Sequence, residues 1–479
     1  MIGRLIRNFL NGQHIICKVR HVQTVHVACL HQCAKNVCPA AGLSWGVRTA
    51  SSSNLFQVTD LGKHVLVFAQ DLRGSRFLQQ TLECANPTEK AQLLDALRGH
   101  VLTLSQQVYG SHIINELSAQ VIPLSTHEYG SWVIQCVLEH CTEQQKRPVL
   151  EQLLDNVLTL ATDKYGCFVI QHAIEHGLPE DRERIVHILK GDIMKYAQQK
   201  FASNIIEKCL ICGTADQKKA LFDNVCVGGP QTLQNARQLM ADEFGSFVIQ
   251  KFFEYGTDGQ KAQLVDALRG HVLTSALQIY GSPVIQKALK SVDKASQIEI
   301  IEELAPHACV IRCIKDRYGM HVMNTIFELI EPERLQFVVD AITNSPSDSF
   351  ASLSLHKYGN WVIRCVLEHC TEQQKRPVLE QLHDNLLTLA TDKYGCFVIQ
   401  HAIEHGLPED RERIVRSLHE NVLTLVMDQY GSHVIRHVKE HGLPEDRERI
   451  VSSLQKNMLT LVTDEVGKGG GGTFRSFIC

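Results

Sequence analysis

The chain has 479 residues, of which 44% are hydrophobic and 21% charged, so it has enough apolar side chains for a packed core and is not intrinsically disordered. No stretch reaches the about 18 to 20 continuous apolar residues of a membrane helix, and an odd total of 17 cysteines without a clean secretory signal indicates reduced thiols. The net charge of −4 excludes a uniformly basic nucleic-acid-binding surface, so any such function must concentrate positive charge on one face.

The N-terminal segment 1–59 is basic and has no acidic residue, so the rest of the chain is more acidic than the whole and carries a net charge of −10. This composition favours a disordered extension, and it is also similar to a mitochondrial transit peptide. His26, Cys29, His31, Cys33 and Cys38 in this segment form a weak metal-ligand pattern. The basic residues are Arg4, Arg7, Lys18, Arg20, Lys35 and Arg48.

A short motif recurs through residues 60–466. A Tyr-Gly dipeptide, or a close variant, precedes a Val-Ile-Gln-like triplet in eleven copies, such as HEYGSWVIQ, DKYGCFVIQ and DEFGSFVIQ. Counted from the residue after the glycine (Ala202 replaces this glycine in the fifth copy), the copies start at 75, 111, 131, 167, 203, 246, 282, 320, 360, 396 and 432. Most of the intervals between these starts are about 36 residues long, which indicates a repeat array.

The other intervals predict local irregularities in the array. The interval between the copies at 111 and 131 is only about half a period and predicts a truncated unit, and the longer intervals that follow 203 and 320 predict small insertions. A twelfth unit is incomplete at 456–466 and is followed by the glycine-rich tail 467–479. Residues 139–186 nearly repeat as 368–415, which indicates a recent duplication or an error in the gene model.

Each unit has the pattern of three helices. In residues 155–190, DNVLTLATDKYG predicts a short first helix, CFVIQHAIEHG a middle helix that ends at Gly177, and PEDRERIVHIL a third helix that begins near Pro179. Three helices in about 36 residues cannot bury their own apolar faces, so neighbouring units must stack into one core. The predicted fold is therefore an all-α solenoid.

The middle helix places a repeated set of side chains on one face. We number the middle helix from the residue after the glycine, so that CFVIQ at 167–171 gives positions one to five. Positions one and five are i and i+4 neighbours, while positions three and four, here Val169 and Ile170, turn toward the core. Position two lies along the edge of this face and is often planar, as in Trp132 and Phe168. Planar groups that alternate with hydrogen-bonding pairs at one-repeat spacing suit splayed, single-stranded bases.

These units resemble those of the Pumilio (PUF) family of RNA-binding proteins over about residues 60–466. The features that carry the resemblance are the regular repeat period, the G-[SNC]-x-x-x-[QE] window, the SNIIE copy and the long interval from 203 to 246 that follows it. The resemblance implies a right-handed crescent whose concave face binds single-stranded RNA, one base per repeat. It also implies messenger 3′ untranslated regions as targets, repression or destabilisation of the message, a cytoplasmic location and protein co-regulators.

The resemblance further implies that positions one and five read the base edge and that position two stacks on the base. Serine or cysteine with glutamine implies adenine, because an amide both donates and accepts; Ser203 with acceptor-only Glu207 implies guanine. The implied adenine pairs are Ser75 with Gln79, Ser131 with Gln135, Cys167 with Gln171, Ser246 with Gln250, Ser282 with Gln286, and Cys396 with Gln400. Donor-only Arg436 with Ser432 implies cytosine, and Asn360 with Arg364 is a base-edge pair without an assigned base. The implied stacking residues are Arg76, Trp132, Phe168, Asn204, Phe247, Trp361, Phe397 and His433.

The sequence departs from the family pattern at several copies. No copy has the asparagine and glutamine pair of the family's uridine readers, so we expect an A-rich site with a central G, such as 5′-AGAA read by repeats six to three. Met320 with Asn324 and Ser111 with Asn115 match no family pair, and Pro283 replaces a stacking residue. A protein-binding scaffold that has lost base-specific recognition is therefore the alternative function.

Two further motifs are better explained by helix packing than by metal binding. HAIEH at 172–176 and 401–405 matches an H-x-x-E-H zinc-peptidase pattern, but the corresponding stretches elsewhere read QCVLEHC and QKFFEYG, so repeat drift explains the letters. Cys209 and Cys212 form one CxxC without a partner pair, which is weak evidence for zinc. No nucleophile and base pair or phosphate loop stands out, so the sequence predicts no enzyme, no metal and no cofactor.

Overall fold

The computed structural model describes residues 69, 74–76, 78–79, 92–93, 95–97 and 100, and then 120–226, 230–344 and 350–456. The chain divides into residues 1–56 and 57–479, and all described residues belong to the second unit. Within them the secondary structure is helical and includes no β-strand. None of the helices in these ranges is long and apolar enough to cross a membrane.

The helices follow the predicted order of first, middle and third helix in each module. In the third and fourth modules they are α1 Val121–Ser125, α2 Glu128–His140, α3 Glu143–Asp155, α4 Val157–Ala161, α5 Gly166–His176 and α6 Pro179–Lys190. The third module thus has all three helices, and the shortening predicted near 111–131 falls before residue 120, outside the described residues. The next three modules contain α7 Ile193–Ala197, α8 Ala202–Cys212, α9 Ala215–Cys226, α10 Pro230–Met240, α11 Gly245–Tyr255, α12 Asp258–Leu268, α13 Val272–Ala276, α14 Gly281–Ser291 and α15 Lys294–Leu304.

The last four modules in the described ranges continue this order. Their helices are α16 His307–Lys315, α17 Gly319–Leu329, α18 Gln336–Thr343, α19 Phe350–Ser354, α20 Gly359–His369, α21 Glu372–Asp384, α22 Leu386–Ala390, α23 Gly395–His405, α24 Pro408–Glu420, α25 Val422–Met427, α26 Gly431–His441 and α27 Pro444–Lys456. A 3₁₀ turn, Pro332–Leu335, precedes α18. The long interval after Ser203 contains an unusually long first helix, α10, of 11 residues.

A side-chain cap and a glycine start most middle helices. Before α23, Asp392 Oδ1 accepts hydrogen bonds from the backbone N–H groups of Tyr394 (2.7 Å) and Gly395 (2.9 Å), which satisfies donors at the helix start. A Cβ on Gly395 would lie 2.6 Å from the carbonyl oxygen of Leu389, so the first helix approaches the middle helix too closely for most side chains. In most modules the glycine of the motif is thus a packing requirement, and in the fifth module the small residue Ala202 takes its place.

The middle helices stack one after another and build the core. Each of them from α2 to α23 contacts the middle helix of the next module. Val169 and Ile170 are fully buried, which confirms the predicted inward direction of these two positions. The buried side chains of all described modules form one continuous cluster, as expected when single modules cannot bury their own apolar faces. The predicted all-α solenoid of three-helix repeats is therefore confirmed.

A bidentate ion pair joins two adjacent third helices. The guanidinium of Arg147 on α3 donates to Asp181 on α6, with Nη2 to Oδ1 at 2.5 Å and Nη1 to Oδ2 at 3.2 Å. Asp181 is buried, and its Oδ2 also accepts the backbone N–H of Leu178 at 3.0 Å. Loss of the guanidinium would leave a buried carboxylate without its cation.

We expect Arg147→Ala to lower the free energy of unfolding by about 1 to 3 kcal/mol, measured by urea denaturation. The near-identical second copy supplies a matched control, because its aspartate, Asp410, contacts His383 (3.4 Å) and Arg413 (3.7 Å) instead. Arg376→Ala should therefore change stability by less than about 0.5 kcal/mol. Equal effects of the two substitutions would contradict this assignment.

Candidate nucleic-acid interface

Positions one, two and five of the middle helices form a regular surface, here named the middle-helix face. In the nine modules described from Ser131 onward, position five is half-buried throughout, and position two is exposed in every module except at Trp361, which is partly buried. Position one is buried except at Met320. The three positions therefore differ consistently in how far solvent, or a ligand, can reach them.

The position-one side chains are nearly inaccessible, which their polarity did not indicate. Ser203 and Ser246 are each 2% exposed. In six of the nine modules described from Ser131 onward, the hydroxyl or thiol at position one donates to the backbone carbonyl three residues earlier, for example Ser131 to Glu128 (3.1 Å) and Ser432 to Gln429 (2.9 Å). The side chain at position one is therefore buried and its proton is already donated to the backbone. Position five presents the more accessible polar group to a base.

Positions one and five lie side by side, as predicted. Gln79 Nε2 donates to Ser75 Oγ at 3.2 Å, and Gln286 Nε2 donates to Ser282 Oγ at 3.1 Å. This contact directs the remaining amide donor and the carbonyl oxygen away from position one. Each glutamine amide therefore keeps both a donor and an acceptor for a ligand.

Four aromatic side chains at position two are about half exposed. Trp132, Phe168, Phe247 and Phe397 have exposures of 47%, 50%, 53% and 46%. Arg76, Asn204 and His433 are exposed as well. Large apolar groups are seldom left in solvent at regular intervals without a ligand that covers them, so this row is the clearest indication of a binding surface.

Three of the predicted base-edge and stacking residues, all in the ninth module, are partly engaged within the protein. Trp361 packs against the core, and the guanidinium of Arg364 lies over its ring at 5.8 Å. The amide of Asn360 donates to the carbonyl groups of His356 (2.9 Å) and Lys357 (3.0 Å). This module therefore presents a stacked arginine and tryptophan pair rather than a free amide and a free ring.

A cavity of about 480 Å³ lies between the last two modules. Its lining includes the position-two residues Phe397 and His433 and the position-five residues Gln400 and Arg436. Two planar groups and two hydrogen-bonding groups thus bound one space, as stacking and edge recognition of a single base require. The predicted residues of consecutive modules are brought together here.

Glu207 is the acidic member of the position-five row. Burial raises the pKa of this carboxyl group, and the positive charge of Lys251 partly opposes the shift. A half-buried carboxylate with its oxygen atoms on a binding face accepts two hydrogen bonds and donates none. It is therefore suited to a ligand edge that carries two donors.

The lysines directly after position five, at position six, form ion pairs with glutamates. Lys208 contacts Glu175, and Lys287 contacts Glu254 at 2.9 Å. Lys287 and Lys251 hold the pKa of Glu254 at about 2. Lys208 holds the pKa of Glu175 below its usual value. The positive charges of these lysines, which would otherwise attract RNA phosphates, are thus largely offset by carboxylates.

Another row of basic residues lies two positions before the glycine, and the sequence interpretation missed it. Lys164, Lys200, Lys357 and Lys393 each lie over the aromatic ring of the next residue, at 4.7 to 5.6 Å from its centroid. The repeated Lys-Tyr dipeptide was the available signal. His321, which is exposed at position two of its module, was missed because the neighbouring Met320 and Asn324 matched no pair.

In the CxxC motif Cys209 is buried and Cys212 is partly buried. Burial raises the pKa of Cys209 to about 12, which disfavours the thiolate that a metal would need. The copy at 111 and the residues His26 to Cys38 lie outside the described residues. The mutual arrangement of Ser111 and Asn115 therefore stays a prediction.

Comparison with known proteins agrees with this architecture. The Pumilio-family RNA binding repeat matches residues 64–98, 100–117, 120–154, 156–189, 192–226, 235–269, 271–305, 309–343, 349–383, 385–419 and 421–454. Pumilio homolog 1 of Xenopus laevis is 41% identical over 131 residues, which are 27% of this chain and 10% of that protein. Meiotic PUF family protein 1 of Schizosaccharomyces pombe is 30% identical over 148 residues, or 31% of this chain and 25% of that protein.

Solved structures are similar over most of the array. The crystal structure of PUF-8 in complex with PBE-RNA has a TM-score of 0.52 at 34% identity, and the match covers 56% of this chain and 75% of that chain. The Puf3 RNA binding domain bound to a Cox17 RNA 3′ UTR recognition sequence has a TM-score of 0.57 at 22% identity, covering 67% and 92%, which supports the fold alone. With eleven matched repeats over most of its length, the chain belongs to the Pumilio family of RNA-binding repeat proteins.

Proposed function

We propose that this protein binds single-stranded RNA along the middle-helix face and reads its sequence at about one base per module. The observation that carries the proposal is the recurrence, in most of the described modules, of an exposed planar side chain at position two beside a half-buried polar side chain at position five. The RNA complex of the 34% identical PUF-8 supports it. Nonspecific electrostatic binding explains the pattern less well, because the lysines at position six are paired with glutamates.

The base preference follows from the hydrogen-bonding groups at position five. Gln250, Gln171 and Gln135 each offer a donor and an acceptor, which match adenine, while Glu207 offers acceptors that match the paired N–H donors of guanine. With the RNA antiparallel to the protein, modules six to three read 5′-AGAA. Further modules extend this site with adenine at Gln286 and Gln400 and cytosine at Arg436.

The biological role that we propose is post-transcriptional control in the cytoplasm. The protein would recognise messenger 3′ untranslated regions and repress or destabilise the message, together with protein co-regulators. The chain spans a quarter or less of the length of the two curated relatives described above, and this role is an inference from family membership. A reporter message with and without AGAA sites in its 3′ untranslated region tests it.

RNA binding itself is tested with the full chain and a fluorescent RNA of about 12 nucleotides. We expect tighter binding to an RNA that contains AGAA than to a scrambled RNA of equal composition, and little binding to the same sequence in a duplex. Discrimination at the guanine should be about 1 to 3 kcal/mol, the size typical of a paired base contact. Equal affinity for all RNAs, or none, would favour the protein-binding scaffold instead.

Acidification should weaken guanine recognition selectively. The raised pKa of Glu207 means that its carboxyl group takes up a proton at a higher pH than an ordinary glutamate. The protonated form presents an O–H donor to the donor edge of guanine, so affinity for AGAA should fall as the pH is lowered from about 7 to about 5. The control is the Glu207→Gln variant with an RNA that contains AAAA. If the affinity of this variant for its RNA fell as steeply with pH, the assignment of guanine to Glu207 would be wrong.

A further inference from the structure

Histidine and glutamate side chains from adjacent modules converge beside the middle-helix face. Numbered along the middle helix, the histidines occupy positions six and ten of one module and the glutamate occupies position nine of the module before it. In the described residues this arrangement brings Glu404 to His437 and His441, and Glu139 to His172 and His176, with the ligand atoms of each triad within 4.8 Å of one another. Glu404 also groups with His401 and His405 of its own helix.

The contacts at Glu404 are specific. Its Oε1 lies 3.2 Å from His437 Nε2, and its Oε2 lies 3.7 Å from His405 Nε2. His437 and His441 are i and i+4 residues of α26, and their ring centroids are 4.6 Å apart. Nε2 of His437 is buried without a hydrogen bond of good geometry. A carboxylate therefore lies beside two neighbouring imidazoles from the next middle helix.

The central modules show what these histidines replace. There, position six is lysine, and Lys208 and Lys287 neutralise the position-nine glutamates of the preceding modules. A histidine at position six, unlike a lysine, does not carry a permanent positive charge. The histidine modules consequently leave the glutamate charge without a permanent cation and offer two lone pairs beside it.

We propose that Glu404, His437 and His441 bind a transition-metal ion of the Zn²⁺ class, and that Glu139, His172 and His176 form a second site of the same kind. Two imidazole nitrogens at i and i+4 on one helix face and one carboxylate are ligands that Zn²⁺ accepts, with a solvent molecule as the fourth. Zn²⁺ bonds are about 2.0 to 2.2 Å long, so the three ligand atoms must move closer together by about 1 to 1.5 Å. Rotations of the exposed Glu404 and His441 side chains provide this movement.

This site differs from the zinc-peptidase pattern in the sequence. In HAIEH at 172–176 the internal Glu175 pairs with Lys208 of the next module, and the carboxylate that joins the two histidines is Glu139 from the preceding module. The ligands thus come from two modules, so a bound ion would link neighbouring middle helices. His437 also lines the cavity between Phe397 and His433, which places the ion at the edge of the RNA-binding face.

Cobalt titration of the full chain tests the proposal. Co²⁺ replaces Zn²⁺ and reports its ligands by absorption: a histidine and carboxylate site gives visible d–d bands, whereas cysteine ligation adds a strong near-ultraviolet thiolate band. We expect d–d bands that saturate near two equivalents and are displaced by Zn²⁺. His441→Asn, at an exposed side chain, and Glu404→Gln should each weaken one site at least about tenfold, and His176→Asn should weaken the other.

His187→Asn is the matched control, since His187 is an exposed helical histidine outside all three groupings. It should leave both sites intact, and circular dichroism should show every variant folded. Bands that carry the thiolate signature and are unaffected by the three ligand variants would overturn the proposal. So would the lack of any saturable binding, in which case the triads are polar contacts between helices. Neither outcome bears on RNA recognition, which is measured separately.

Discussion

Phe247→Ala is expected to weaken binding of an AGAA-containing RNA by about 5- to 150-fold, without a measurable change in the fold. The ring is 53% exposed at position two of α11, between the side chains that we assign to adenine and guanine. Stacking of one base on an aromatic side chain contributes about 1 to 3 kcal/mol, and each 1.4 kcal/mol is about a tenfold change in affinity. Fluorescence anisotropy at constant salt measures this change.

Leu158→Ala is the control for this prediction. Leu158 is an equally apolar, exposed side chain, but it lies on the first helix α4 and away from the middle-helix face. Its removal should leave RNA affinity within about twofold. If both substitutions had the same effect, or if Phe247→Ala had none, the stacking role of position two would be wrong.

Phe252→Ala, on the same helix, is expected to have the opposite profile. Phe252 is buried, and its ring meets that of Phe222 on the preceding third helix edge to face, with centroids 5.3 Å apart. Truncation removes this contact and leaves a cavity between two modules, which typically costs about 3 to 5 kcal/mol. Urea denaturation followed by circular dichroism should show this loss.

The pair Phe247 and Phe252 separates binding from stability. Phe247→Ala should lower the free energy of unfolding by less than about 0.5 kcal/mol, while Phe252→Ala should keep RNA affinity under conditions in which the variant is folded. A loss of less than about 1 kcal/mol for Phe252→Ala would mean that the two modules do not share a core as described.

Much of the fold could be predicted because the same helical pattern recurs in many modules. One module is ambiguous, but eleven motifs at a regular interval establish the period, and the buried Val169 and Ile170 follow from helix geometry. The sequence showed that a glycine recurs in the motif. Only the structure showed why: the glycine lies close to the carbonyl group of a first-helix residue such as Leu389.

The site was predicted less completely, since its properties depend on contacts between modules. The sequence placed Ser203 and Glu207 side by side, but not the burial that makes position one nearly inaccessible. It identified Lys208 as a cation and could not show that Glu175, in the preceding module, neutralises it. The convergence of Glu404 with His437 was hidden for the same reason, because each lies on a different helix.

Selection from a random pool of single-stranded RNA tests whether the middle-helix face reads RNA base by base. The full chain is incubated with the pool, retained RNA is sequenced, and the selection is repeated with the variant Ser203→Ala plus Glu207→Gln. We expect an A-rich motif with one guanine in the wild type, and loss of that guanine alone in the variant. No enriched motif, or the same guanine in both selections, would contradict base-by-base reading by the middle-helix face.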